Sequence, residues 1–91
     1  MTVHDNKQRS RFELELDGHT AFAAYRRDGN VVTFVHTEVP KALSGRGVGS
    51  ALAKGALDLV RAAGDTIVTE CPFIAGYVAK HPELHDLRRS P

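Results

Sequence analysis

Val39-Pro40-Lys41-Ala42-Leu43-Ser44-Gly45-Arg46-Gly47-Val48-Gly49-Ser50 is the stretch on which this chain turns. Before it, Val31 to Val39 is rich in β-branched residues and reads as a strand, which Pro40 ends. After it the apolar period changes. Val48, Leu52, Ala56 and Val60 share one helical face, widened by Ala51 and Leu59, while Ser50, Lys54, Asp58 and Arg61 lie opposite. The stretch is therefore a glycine-rich loop between a strand and an amphipathic helix. Glycines allow positive φ and close backbone approach, and a helix N-terminus offers unpaired N–H groups with partial positive charge. Together they can cradle a pyrophosphate. On spacing alone, a merely flexible glycine loop is an equal alternative. No Lys-Ser/Thr pair opens the helix, so the loop is not of the Walker type. It also does not form the first turn of a dinucleotide-binding unit.

Upstream, Phe12, Leu14 and Leu16 alternate with Arg11, Glu13, Glu15 and Asp17, as in a half-buried strand. Asp17-Gly18 is a tight-turn pair, and a second strand follows over Thr20 to Arg27. Asp28-Gly29-Asn30 signals another turn before the strand at Val31. Two short turns joining three strands predict an antiparallel meander. Downstream, Gly64 suits a helix stop. Thr66 to Cys71 returns to period two, with Ile67, Thr69 and Cys71 on one face. Pro72 then opens a shorter helix to about Lys80, ended by His81-Pro82. The expected fold is α+β with a mixed sheet, in the order β-β-β-α-β-α. The strands flanking the long helix form a parallel β-α-β crossover. Residues 1–9 read as a flexible polar lead, 10–85 as a single domain, and 86–91 as a flexible tail.

The chain of 91 residues is 42% hydrophobic and 25% charged, with a formal net charge of +1. That balance gives no drive toward nucleic acid or a membrane surface, and neither is an expected partner. The single cysteine, Cys71, excludes an intramolecular disulfide and fits a reducing, cytoplasmic setting. The polar start lacks the apolar segment of a signal peptide. No metal-ligand spacing is present, so no metal is expected.

Ser44 to Gly49 resembles the acetyl-CoA loop of the GNAT N-acetyltransferases, Gln/Arg-x-x-Gly-x-Gly/Ala ahead of a long helix. Gly47 and Gly49 match its two small positions, while Ser44 stands where the family usually has Gln or Arg. That departure removes one side-chain contribution to pyrophosphate binding, for which Arg46 is the nearby substitute. The chain is still more similar to a group of very small, single-domain GNAT-like proteins. His36-Thr37-Glu38-Val39-Pro40, Cys71-Pro72-Phe73 and Tyr77-Val78-Ala79-Lys80-His81-Pro82-Glu83 carry that likeness. It spans roughly Phe12 to Leu84. It implies a GNAT core without the first strand and the two early helices, and acetyl-CoA or coenzyme A as cofactor. The implied contacts are Val39, Ser44, Gly45, Arg46, Gly47, Val48, Gly49 and Ser50, with N–H groups of the Val31–Val39 strand as donors to the thioester carbonyl.

Acetyl transfer needs a polarised carbonyl, a base for the amine and a proton for the leaving thiolate. Three residues are candidates. Cys71 ends a strand just before a helix N-terminus, a place that favours a thiolate. The resemblance adds that the small group shares this cysteine as a candidate nucleophile; a small core residue is the other reading. Glu38, at the end of its strand, can serve as base or be a solvated edge carboxylate. Tyr77 corresponds to the tyrosine that protonates the thiolate in many GNAT enzymes, or it packs the helix. His36 shares parity with Val32 and Phe34 and is expected to be partly buried and structural; His81 is assigned to the helix terminus. Two functions follow. One is an N-acetyltransferase acting on an amine (small amine, peptide or protein), directly or through Cys71. The other is a non-catalytic CoA-binding module serving as sensor or subunit. A monomer or a homodimer is expected.

Overall fold

Alternating apolar residues build the first half of the chain into strands, and a computed structural model describing residues 2–89 shows how they pair. The strands are β1 (Val3–Asn6), β2 (Arg11–Leu16), β3 (His19–Asp28), β4 (Val31–Glu38) and β5 (Thr66–Thr69). The helices are α1 (Val48–Ala62) and α2 (Pro72–Ala79), with short 3₁₀ turns at Lys41–Leu43 and Pro82–Leu87. All five strands lie in one sheet, in chain order. β1 to β4 pair antiparallel, and β4 pairs parallel with β5 across α1. The meander and crossover expected from the sequence are thus both present. Asp17 and Gly18 have φ of 52° and 77°. These left-handed values suit a two-residue hairpin, because their twist matches that of the flanking strands.

Phe12, Leu14, Ala21, Ala23, Tyr25, Val32 and Phe34 form one apolar face of the sheet, packed on α1. From α1 come Val48, Leu52, Ala53, Ala56, Leu57 and Val60. The buried arc therefore leans toward Ala53 and Leu57, and Leu59, expected to widen it, is 36% exposed. Ile74 and Val78 of α2 join the same core.

Three expectations are corrected. The lead over residues 1–9 contains β1, so the first strand is not missing. Val3 seats against α1 at Gly55, where a Cβ would collide with the Val3 side chain. The polar residues of β1 find buried partners: Tyr25 Oη donates to Asp5 at 2.6 Å, and His4 and Asn6 bond Glu13. The 86–91 tail is also ordered as far as it is described. Leu87 is buried, Arg61 pairs with Asp86, and Arg89 N–H donates to Ile67 O at 2.9 Å. Ser90 and Pro91, like Met1, lie outside the described residues.

The third correction concerns His36. Ala24 pairs with His36 but Tyr25 pairs with Phe34, so Val35 is an extra residue, a β-bulge. Side chains alternate by twos, so one extra residue reverses the face of everything after it. His36 and Glu38 accordingly leave the core side, and each side chain is 61% exposed. Thr37 turns to the core side instead.

Candidate functional site

The glycine loop reaches α1 without a side-chain cap. Gly45 and Gly47 have φ of +78° and +73°, a region that glycine enters without steric cost. A Cβ at either would meet nothing within 4 Å, so open space lies over both α-carbons. Within α1 the first N–H shown with an acceptor is that of Ala51, bonded to Gly47 O at 3.1 Å. The N–H groups of Val48, Gly49 and Ser50 precede it and belong to the unpaired first turn. A pyrophosphate fits this arrangement: open glycine surface, donor N–H groups, and the positive end of a 15-residue helix.

The remaining loop side chains are engaged locally. Ser44 Oγ donates to Lys41 O at 2.8 Å. Arg46 pairs with Asp17 at 2.6 Å, across the mouth of the loop at the β2–β3 turn. Gly49 differs from the other two. It sits inside the helix, and a Cβ there would lie 3.0 Å from Phe73 Cζ. Its smallness admits the ring of α2, which only a packed structure could show.

Beside the loop, β4 loses a neighbour. β5 pairs with it only from Val31 to Phe34. Phe34 O then accepts both Glu70 N–H and Cys71 N–H, at 2.9 and 3.0 Å, and the chain turns into α2. From His36 to Glu38, β4 is paired on the β3 side only. This splay leaves strand-edge groups available to an extended ligand chain, as in β-augmentation. Half-buried Val39 continues that edge toward the loop.

Cys71 is the N-cap of α2, 4% exposed, with its sulfur 3.3 Å from Thr37 Oγ1. On the other side of β4, His36 Nε2 lies 3.3 Å from Glu38 Oε2, with Phe22 edge-on to the imidazole at 6.2 Å between centroids. The bulge thus separates the candidates: Thr37 and Cys71 on the helix side, His36 and Glu38 on the open face. Tyr77 joins neither pair. Its ring stacks on His81 at 4.0 Å, in a depression bordered by Ser50 and Phe73. Thr37 and Phe73 were not singled out from the sequence. A bulge, which would have flagged Thr37, leaves no composition signal.

The sequence model of the GCN5-related N-acetyltransferases matches residues 11–87. The chain belongs to this family. It is 37% identical over 90 residues to Protein NATD1 of Mus musculus, covering 96% of this chain and 82% of that one. With Protein NATD1 of Gallus gallus it shares 39% over 82 residues, 87% and 74% of the two chains. Its fold matches the NMR solution structure of a GCN5-like protein from Staphylococcus aureus, with a TM-score of 0.72 and 25% identity over 98% of this chain and 88% of that one. The enzymatic class is therefore N-acetyltransferase. GNAT enzymes generally take their acetyl group from acetyl-CoA.

Proposed function

We propose that this protein transfers an acetyl group directly from acetyl-CoA to an exposed amine that approaches on the open face of the sheet. The observation that carries it is the division made by the bulge at Val35. The helix side presents half-buried Thr37 bonded to buried Cys71. The open side presents an exposed carboxylate, Glu38.

Bound acetyl-CoA would supply the thioester whose acetyl group is transferred. Gly45 to Ser50 hold its phosphates, and the free edge of β4 through Val39 holds its extended chain and donates N–H to its carbonyl. Glu38 Oε attracts the acceptor's ammonium and takes a proton from it. The His36 imidazole, bonded to the same carboxylate, steadies it. Cys71, buried and bonded to a hydroxyl, has no His, Lys or Arg among its hydrogen-bond partners within the described residues. An activated nucleophile needs such a base or cation, so a wall role fits Cys71 better. Coenzyme A leaves as its thiolate, and the Tyr77 hydroxyl, on the depression that Ser50 also lines, is the candidate group to protonate it.

The test is intact-mass analysis of acetyl-CoA incubations with a panel of amines, including peptide lysines and free N-termini, for the parent and Glu38→Gln. Amine acetylation by the parent, reduced about a hundredfold or more in Glu38→Gln, is expected. A protein that binds the donor but acetylates no amine would instead be a CoA-binding module.

A further inference from the structure

Glu13 is a carboxylate buried on the open face of the sheet, its side chain only 7% exposed. Oε1 accepts from His4 Nε2 and Asn6 Nδ2 at 3.1 and 3.3 Å, and Oε2 accepts from Arg11 Nε. A buried charge is costly unless it is paired and hydrogen-bonded, and the acetyl transfer described above makes no use of this one. What Glu13 does is fix a guanidinium. Arg11 Cζ stands over the Phe22 ring, 4.3 Å from its centroid. Held by Glu13 at Nε and by the ring beneath, the Arg11 side chain is 23% exposed. Its two terminal nitrogens have no protein acceptor among the described residues. A guanidinium fixed in this way is pre-organised to take a carboxylate on its free fork.

The fork lies close to the proposed base. Phe22 and Glu38 are direct partners across β3 and β4. Arg11 starts on β2 and leans over β3, so its guanidinium comes within about one strand spacing of β4 at Glu38, roughly 5 Å. The two charges do not pair with each other: Arg11 bonds Glu13, and Glu38 bonds His36. The other charges of this face are spoken for or distant. Arg26 pairs with Glu70. Glu15 is further along β2 than Arg11, by about 13 Å at strand spacing. A carboxylate that receives an ammonium, beside a guanidinium that lacks a carboxylate, matches an acceptor carrying both groups on one carbon. We infer that the acceptor is a free α-amino acid, with Arg11 holding its carboxylate while Glu38 receives its amine. The inference rests on the amine reading above and narrows it, because a lysine side chain within a protein has no such carboxylate.

Each standard α-amino acid can be compared with its α-carboxamide, which removes the charge and keeps the amine and side chain. The carboxamide's amine is the less basic, so more of it is unprotonated at neutral pH. A preference for the acid must therefore come from binding its carboxylate. For the best-used amino acid, kcat/KM measured by CoA release should favour the acid at least about tenfold, the scale of a charge-assisted hydrogen bond. Arg11→Gln should erase this ratio. That variant strands a buried carboxylate, so Arg11→Gln combined with Glu13→Gln, which removes both charges, is measured beside it and should erase the ratio as well. Equal use of acid and carboxamide by the parent, or a ratio that survives in the double variant, overturns the inference and leaves the amine reading standing. Acetylation of peptide lysines but of no free amino acid does the same. If the parent acetylates no amine at all, the amine reading fails and this inference fails with it.

Discussion

Replacing Gly47 separates the backbone's role in the cradle from its role in the fold. Gly47 sits at φ +73°, with open space where a Cβ would be. Packing therefore opposes no substitution; only the left-handed backbone does. An L-residue there costs roughly 1–2 kcal/mol, while Asn tolerates the region better. For a domain of this size, 1 kcal/mol corresponds to about 4–8 °C in Tm. Gly47→Ala should thus melt about 5–15 °C below the parent, and Gly47→Asn should fall distinctly less. Both put side-chain atoms into the open space over the Gly47 α-carbon, where the donor's phosphates are proposed to lie, so both should weaken acetyl-CoA binding by about tenfold or more, the equivalent of 1.4 kcal/mol. Thermal melts and calorimetric titration on the same samples read the two effects apart. If Gly47→Asn binds acetyl-CoA as tightly as the parent, the phosphates do not lie on this loop.

Cys71→Ala should keep turnover within about tenfold of the parent, measured by CoA release, as a wall residue would; a loss on the scale of a missing nucleophile would restore the acetyl-cysteine route. Gly55→Ala should lower Tm although helix propensity alone favours Ala by about 1 kcal/mol, because the new methyl collides with the Val3 side chain; a matching gain in a Val3→Gly background would show that β1 is the cause. Burial opposes ionisation of Glu13, but Arg11, Asn6 and His4 outweigh it and hold the carboxyl below its ordinary 4.5. Its contribution is then present above pH 4.5 and lost as pH falls through the lower folded value, so the Tm gap between parent and Glu13→Gln should close on acidification. In a Tyr77→Phe variant the remaining phenol, Tyr25, is pushed up to about 12 by burial and by Asp5; its 295 nm titration should stay silent through pH 10 and appear together with alkaline unfolding.

Much of this protein is local in origin. Alternation in Arg11–Leu16, the Asp17-Gly18 turn, Pro40, the glycines of the loop and the helical period after Val48 each follow from backbone sterics and apolar spacing within a few residues. They were sufficient for the meander, the crossover and the glycine loop at the start of α1. Whatever depended on a partner far along the chain was decided only by packing. Val3 to Asn6 forms a strand because Glu13 and Tyr25 present buried partners and Gly55 leaves room, and none of these is a neighbour in sequence. Gly49 looks like another loop glycine until Phe73 is seen lying against it. His36 carries the parity of a core residue until the bulge at Val35 reverses the face. One inserted residue changes no composition and leaves the β-branched pattern intact, yet it moves His36 and Glu38 to one side of the sheet and Thr37 to the other, beside Cys71. That reversal is a property of how β3 and β4 register against each other, and register is fixed by which side chains are buried together.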